Sequence, residues 1–421
     1  MTEFILFGSL ALMIFINIPI AIALGLASIF TLCYVGDPFG VVPAMMQATV
    51  QKFTLLTIPL FILAGAIMDK GGISKRLVTL ANCFFGGVKG GLGIVAVIAA
   101  MFFAAISGSG TATVAAIGSV LIPAMIKEGY EPGFAAGLSA ISGSLGTIIP
   151  PSITFIIYGM ITGESIGDLF FAGIVPGLVF GAILCMFCYL TAKKNDWGGK
   201  GNLAGGTEIR KAFIDALWGI FSPIIVLGGI YTGILTPTES AAVAVIYSFL
   251  VGAFVYKELN LKNFASALFI TGKTPGIILL IIMNAGIFSW VLTEQGIAAR
   301  LTNFAISSID SKIVMLLIIN IVFLCAGCVM DNTSALFILV PIVMPIAKAM
   351  GIDLVHLGVV LVLNLSIGQV TPPVGPNLYV ATDIAKAKFE TVVHSSIPVL
   401  MVSLLALLII TYVPWFSLCL I

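Results

Sequence analysis

Ser107-Gly108-Ser109-Gly110-Thr111 divides two apolar runs, at about 92 to 106 and 112 to 126, and Asp331-Asn332-Thr333 divides a second pair, at about 313 to 328 and 333 to 350. In water such a stretch is an ordinary loop. At membrane depth, unpaired backbone N–H and C=O groups are tolerated only where protein or a cavity surrounds them. The two stretches are therefore expected to be the tips of two re-entrant hairpins facing one central site, the first near 107–111 and the second near 328–333.

Composition sets the membrane context. Sixty per cent of the 421 residues are apolar and nine per cent charged, against roughly a quarter charged in soluble domains. The length allows about a dozen crossings of roughly 20 residues, and the apolar runs far exceed the alternating segments of about ten residues that a membrane β-barrel uses. The expected fold class is an all-α polytopic membrane protein. A net charge of +1 and the absence of a long Lys/Arg run speak against a nucleic-acid partner. Met1-Thr2-Glu3 lacks the positive start of a signal peptide, so Phe4 to Val35 is expected to be a retained first helix. Cys185/Cys188 and Cys325/Cys328 have C-x-x-C spacing, but both pairs lie in apolar segments without a nearby histidine, which favours small apolar filler over redox or zinc chemistry.

A polar stretch splits the chain. Lys193, Lys194, Lys200, Arg210 and Lys211 cluster in a Gly-rich segment, and five cations in a short loop mark it as cytoplasmic. This divides the chain into a first repeat at 1–192, a linker at 193–211 and a second repeat at 212–421. A shift of 222 residues carries Pro123 onto Pro345, Pro150-Pro151 onto Pro372-Pro373 and Pro176 onto Pro398, and pairs Thr111 with Thr333, Ser144 with Ser366 and Gly146 with Gly368. Slipped by two residues, Gly72-Ile73-Ser74-Lys75-Arg76-Leu77 matches Gly296-Ile297-Ala298-Ala299-Arg300-Leu301. Paired, broken repeats of this kind point to secondary transporters, with the site at the repeat interface. An odd number of crossings per half makes the repeats inverted and leaves both termini outside. Ile73 to Val88 and Ile297 to Ile309 are too short to cross and carry Lys75, Arg76, Lys89 and Arg300, so they are read as interfacial amphipathic helices. Glu258 to Phe264 is read as the start of a similar one.

The residues at these interruptions supply oxygen and little positive charge. Gly108 and Gly110 allow close turns that aim carbonyls inward, and hard cations favour oxygen ligands. Each half also holds a second element, Gly143 to Pro151 and Ser366 to Pro373. A Pro-Pro pair cannot continue a helix, because two N–H donors are missing and the preceding residue leaves the α region. Each such helix should break, leaving free carbonyls that attract Na⁺ and a new helix N-terminus that attracts an anion. The pattern suits a cation-coupled carrier of acids. Asp331 stands between two nearly uncharged runs, where an acid costs roughly 2.5 to 3.5 kcal/mol, so it is a candidate for a sodium site or a proton relay.

Other ionisable residues have plainer explanations. Glu239 is expected to cap a helix behind Pro237, Lys273 to sit at the interface, and His356 and His394 to be satisfied or interfacial. An enzyme is not expected: no G-x-x-x-x-G-K-[ST] loop is present, no histidine has a place opposite Ser109, and no second acid pairs with Asp331.

Taken in order, Ile106-Ser107-Gly108-Ser109-Gly110-Thr111-Ala112, Gly146-Thr147-Ile148-Ile149-Pro150-Pro151-Ser152, Met330-Asp331-Asn332-Thr333 and Thr371-Pro372-Pro373-Val374-Gly375 resemble the large membrane subunit of tripartite ATP-independent periplasmic (TRAP) transporters over essentially the whole chain. The resemblance implies a Na⁺-driven importer of an organic acid, of the sialic acid or dicarboxylate class, in the bacterial inner membrane. It implies as partners a small four-helix membrane subunit and a periplasmic substrate-binding protein, within the lipid bilayer. It also implies an elevator, in which a domain holding both hairpins slides against a scaffold, and no cofactor beyond two coupling Na⁺ ions. Carried onto this chain, one Na⁺ lies among Ser107, Gly108, Ser109 and Gly110 with Gly146 and Thr147. The second lies among Asp331 and Asn332 with Gly368, Gln369 and Thr371. Substrate lies between the tips, against Ser109, Thr111, Asn332, Thr333, Pro151 and Pro373. The alternative is a stand-alone Na⁺- or H⁺-coupled carboxylate carrier that needs no binding protein.

Overall fold

A computed structural model of the chain describes residues 1–199 and 204–421; Lys200 and Gly201 of the polar linker lie outside the described residues. Among those residues there is no strand, and nine helices are long and apolar enough to cross a membrane. A further pair, bent by 42°, covers Pro132–Ile148 and Ile153–Thr162.

The first half runs through α1 (Thr2–Phe15), α2 (Ile20–Val35), α3 (Val41–Val50), α4 (Thr57–Lys70), α5 (Ile73–Phe85), α6 (Gly91–Ser107), α7 (Gly110–Lys127), α8 (Pro132–Gly143), α9 (Leu145–Ile148), α10 (Ile153–Thr162) and α11 (Ile166–Asn195). The apolar run at 4–35 is thus two helices, not one. Asn17 takes a left-handed φ of 66°, and Pro19 offers no N–H to carry a helix onward. Past the linker come α12 (Gly206–Tyr231), α13 (Pro237–Leu250), α14 (Leu261–Glu294), α15 (Ile297–Ser308), α16 (Lys312–Val329), α17 (Asn332–Ala349), α18 (Leu354–Gly368), α19 (Pro376–Ala385), α20 (Phe389–Tyr412) and α21 (Trp415–Leu418). Leu261 opens the 34-residue α14, so the segment read as a separate interfacial helix is the entry to a span. Glu239 does cap α13: Thr236 N donates to its Oε2 at 2.8 Å, and Glu239 N donates to Thr236 Oγ1 at 3.3 Å.

The helices repeat with the shift that the prolines carry. α7 and α17 begin and end 222 residues apart, and α8 and α18 begin 222 apart. Two chain breaks follow, at Ile149–Ser152 and Gln369–Gly375, each holding its Pro-Pro pair with a cis bond. Ser366, Ile367 and Gly368 belong to α18 and not to the break. Proline removes only its own N–H, so the residues before it still close turns, as Gln369 N to Leu365 O and Thr371 N to Gly368 O do at 3.0 Å each.

The broken helices are the centre of the molecule. Every residue of α18 is buried, as is every residue of α8 from Gly133 to Gly143. The surrounding helices close in through small residues, the usual device where lipid is as apolar as the side chains. A Cβ on Gly327 would stand 3.0 Å from Gly368 Cα, and one on Gly65 3.2 Å from Ser107 Cα. The halves meet through hydroxyls: Ser144 Oγ donates to Ser366 O at 2.8 Å, and Thr147 Oγ1 hydrogen-bonds Ser366 Oγ. Ser144 and Ser366 are equivalent under the shift, and equivalent positions touch each other at a two-fold relation.

α5 and α15 each bury one face and join a spanning helix to a hairpin arm. Their matched arginines are both anchored. Arg76 pairs with Glu258 at 2.8 Å and lies 3.7 Å from the centre of the Tyr256 ring; Arg300 pairs with Glu3 at 2.6 Å. The described start of the linker is also packed, with Trp197 against Tyr130 and Phe134 at 5.4 and 4.9 Å between ring centres. Replacing Arg76 with Ala removes an ion pair and a cation–π contact, together worth about 1 to 2 kcal/mol. It is expected to lower the melting midpoint of the detergent-solubilised protein more than Glu258→Gln does. Equal shifts in the two variants would assign the whole effect to the ion pair.

Candidate functional site

At the first tip, α6 ends on Ser107, Gly108 turns the chain with φ 61°, and α7 begins at Gly110. Hydroxyls hold the turn. Thr113 Oγ1 donates to Ser109 O at 2.8 Å and hydrogen-bonds Ser107 Oγ at 2.9 Å, while Ser109 and Thr111 hydroxyls lie 3.4 Å apart. The tip is tied to its own half's break, because Ile153 N donates to Gly108 O at 3.4 Å. Gly146 packs beneath it, and a Cβ there would stand 2.6 Å from Ser109 O and 2.5 Å from Thr113 Oγ1. Ser107, Gly108, Ser109 and Gly146 are thus one cluster. Thr147 faces the other half, giving its hydroxyl to Ser144 O at 2.8 Å and pairing with Ser366.

The second tip is built differently. Asp331 caps α17: Ser334 N donates to its Oδ2 at 3.1 Å and Ser334 Oγ to its Oδ1 at 2.6 Å. A role the sequence leaves between ion site and relay therefore includes a structural one. Asn332 is buried with both amide atoms unpartnered. Val374 N donates to Cys328 O at 3.3 Å, tying this tip to its own break as in the first half. Gly368 lies against Gly327, and Thr371 Oγ1 returns to Ile367 O at 2.8 Å.

One connection crosses the halves unexpectedly. A Cβ on Gly110 would lie 2.7 Å from Gln369 Oε1 and 3.1 Å from Asn377 Nδ2. Gln369 Oε1 and Asn377 Oδ1 are buried and unpartnered, and Asn377 Nδ2 reaches Ala140 O at 3.3 Å and Ser144 Oγ at 3.4 Å. Asn377 is absent from the sequence-derived set. Its signal was an amide just behind Gly375-Pro376 in an apolar segment, with Phe155 as its shift partner, so the duplication did not point to it.

A cavity of about 600 Å³ opens beside the first tip. Ser107, Ser109 and Thr111 line it, together with Asp69 and Lys70 of α4 and Thr274 of α14. Its size suits a small organic ligand. Asn332, Thr333, Pro151 and Pro373 are not on its wall; Pro151 is buried and Pro373 exposed. Among the described residues no group of three His, Cys, Asp or Glu is placed to hold a metal ion. The oxygens at the tips are hydroxyl, carbonyl, amide and, at Asp331, carboxylate, a donor set for hard cations. His356, by contrast, is fully engaged, with its ring nitrogens 3.2 Å from Ser417 Oγ and Thr411 O. All seven cysteines are free thiols.

Residues 7–416 match the family model for the tripartite ATP-independent periplasmic transporter, DctM component. The chain belongs to this family. It is 41% identical to the isethionate TRAP transporter permease protein DctMQ of Oleidesulfovibrio alaskensis over 97% of its own length, though it spans only 65% of that relative. It is also 41% identical to the C4-dicarboxylate TRAP transporter large permease protein DctM of Vibrio cholerae, covering 96% of this chain and 94% of that one. In fold it is similar to the YdaH transporter of Alcanivorax borkumensis, with a TM-score of 0.67 at 14% identity over 91% of this chain and 88% of the other. As a DctM component it is a multi-pass permease subunit of the bacterial inner membrane and not an enzyme.

The close glycine contacts make a direct prediction. In Gly368→Ala the new Cβ would meet Gly327 Cα at 2.6 Å, an overpacking that costs about 1 to 3 kcal/mol. A lowered melting midpoint is expected, with a larger drop than for Gly351→Ala in an open turn if the contact, and not left-handed backbone strain, dominates.

Proposed function

We propose that this DctM component is the transport subunit of a Na⁺-coupled importer, working by an elevator with a small membrane subunit and a periplasmic binding protein that delivers an organic acid. The observation that carries this reading is the set of buried, unpartnered amide oxygens of Asn332, Gln369 and Asn377 at the second tip and the second helix break. Native proteins pair such atoms, and a bound ion or water is one way in which they are satisfied. One Na⁺ is assigned to the Ser107–Gly110 turn with Gly146 and Thr147, the other to Asp331 and Asn332 with Gly368, Gln369 and Thr371. The acid is assigned to the cavity at Ser109 and Thr111, so that Asn332, Thr333, Pro151 and Pro373 act behind it. Residues 1–192 and 212–421 are taken as the inverted repeats, joined on the cytoplasmic side by 193–211. The isethionate and C4-dicarboxylate relatives support an acidic cargo.

Sodium suffices as the driver. Two Na⁺ entering down a tenfold gradient and about 100 mV release about 7 kcal/mol, of which returning one negative charge consumes about 2.3 kcal/mol.

The carrier reading is tested in proteoliposomes holding this chain, its small subunit and a binding protein, each omitted in turn. Uptake should need all three and external Na⁺. Full uptake without the binding protein would establish the stand-alone carrier instead. Within that assay, Asp331→Asn keeps an N-cap oxygen for Ser334 but loses the charge, whereas Asp331→Ala loses both. Sodium dependence should weaken in both variants, while the loss of about 1 kcal/mol of stability should appear only in Asp331→Ala. Unchanged sodium dependence in Asp331→Asn would leave this aspartate a helix cap and nothing more.

A further inference from the structure

A lysine at the end of a spanning helix is ordinarily accounted for by the helix dipole and by snorkelling. Lys70, the last residue of α4, has a second feature: it lines the 600 Å³ cavity that the hydroxyls of the first tip also line. Among the described residues, the charged side chains lining it are Lys70 and Asp69. They are not locked together. Lys70 Nζ lies 4.0 Å from Asp69 Oδ2, and Asp69 Oδ1 already accepts from Ser74 Oγ at 3.2 Å. Lys70 is 40% exposed, which leaves its ammonium free to meet a ligand.

We infer that Lys70 is a substrate-binding residue that takes the acidic head group of the cargo, while the Ser109 and Thr111 hydroxyls hold its other polar end. This rests on the carrier reading above and adds the cation that reading lacks, since an acid entering a largely apolar cavity must be paired. Placement gives the contact a direction. α4 packs with α13 and α14, whereas Ser109 and Thr111 belong to the hairpin. The Lys70 end of α4 leads straight into α5, which packs on α12 at the far side of the linker, and Tyr256 OH binds Asp215 O there at 2.6 Å. An acid held between Lys70 and the Ser109 and Thr111 hydroxyls therefore bridges α4 and the hairpin. Asp69, beside Lys70, opposes an anion there by repulsion.

The test uses the permease complex of this chain with its small subunit. Affinity is read from stabilisation by succinate and by isethionate, and the Na⁺ midpoint is read separately. Lys70→Gln is expected to weaken acid affinity about 10-fold, Lys70→Arg to keep it within about threefold, and Asp69→Asn to tighten it by about threefold, all with an unchanged Na⁺ midpoint. An affinity in Lys70→Gln equal to the parent's, with the Na⁺ midpoint intact, overturns this assignment and leaves the carrier reading standing. Absence of acid binding and of a Na⁺ effect in the parent complex overturns both.

Discussion

A peptide group freed from a helix must find a partner, and in the middle of a bilayer none is available outside the protein. The rest of this architecture answers that constraint. The helices carrying Pro150-Pro151 and Pro372-Pro373 are the most deeply enclosed in the molecule, with α18 buried along its entire length. Each break is then met by a hairpin whose tip shares a backbone bond with it, Gly108 with Ile153 in one half and Cys328 with Val374 in the other. The first break is thereby enclosed, with Pro150 to Ser152 buried, whereas Pro372 to Val374 of the second stay exposed. Glycine is what lets the tip and the break come so near, at Gly146 beneath Ser109 and at Gly368 against Gly327.

Within this shared frame the halves have diverged in charge. The second helix N-terminus is closed by the Asp331 carboxylate, bonded twice to Ser334. Ser109 holds the corresponding place in the first half and makes no side-chain cap, and the cavity opens there. A negative cap repels an anion, whereas exposed hydroxyls and N–H groups receive one. The duplicated scaffold thus presents unlike surfaces to its ligands.

Much of this was legible because prolines and glycines act locally. Pro345 and Pro123 mark the same turn of matched helices, and a constant spacing survives wherever helix lengths are kept, as for α7 and α17. Legibility stopped where a contact depends on assembly. Nothing near Gly110 announces Gln369, more than 250 residues away, and Asn377 has a phenylalanine as its shift partner. The cavity wall was hidden for the same reason, since Lys70 ends an unremarkable apolar helix. Helix limits failed in small, local ways: Asn17 adopts a left-handed turn that splits the first run, and the segment at Glu258 to Phe264 leads into the long α14.

Ser144 and Ser366 are equivalent positions that meet across the join between halves, Ser144 donating its hydroxyl to the Ser366 carbonyl while the Ser366 hydroxyl meets Thr147 beside it. Most duplicated positions can drift apart, because each copy answers to different neighbours. These two answer to one another. A larger side chain at either position would push into its own counterpart, and an apolar one would strand the hydroxyl or carbonyl it now satisfies. The pair is held to mutual agreement, so the symmetry of the fold outlasts the divergence of its sequence at a place where the two halves meet.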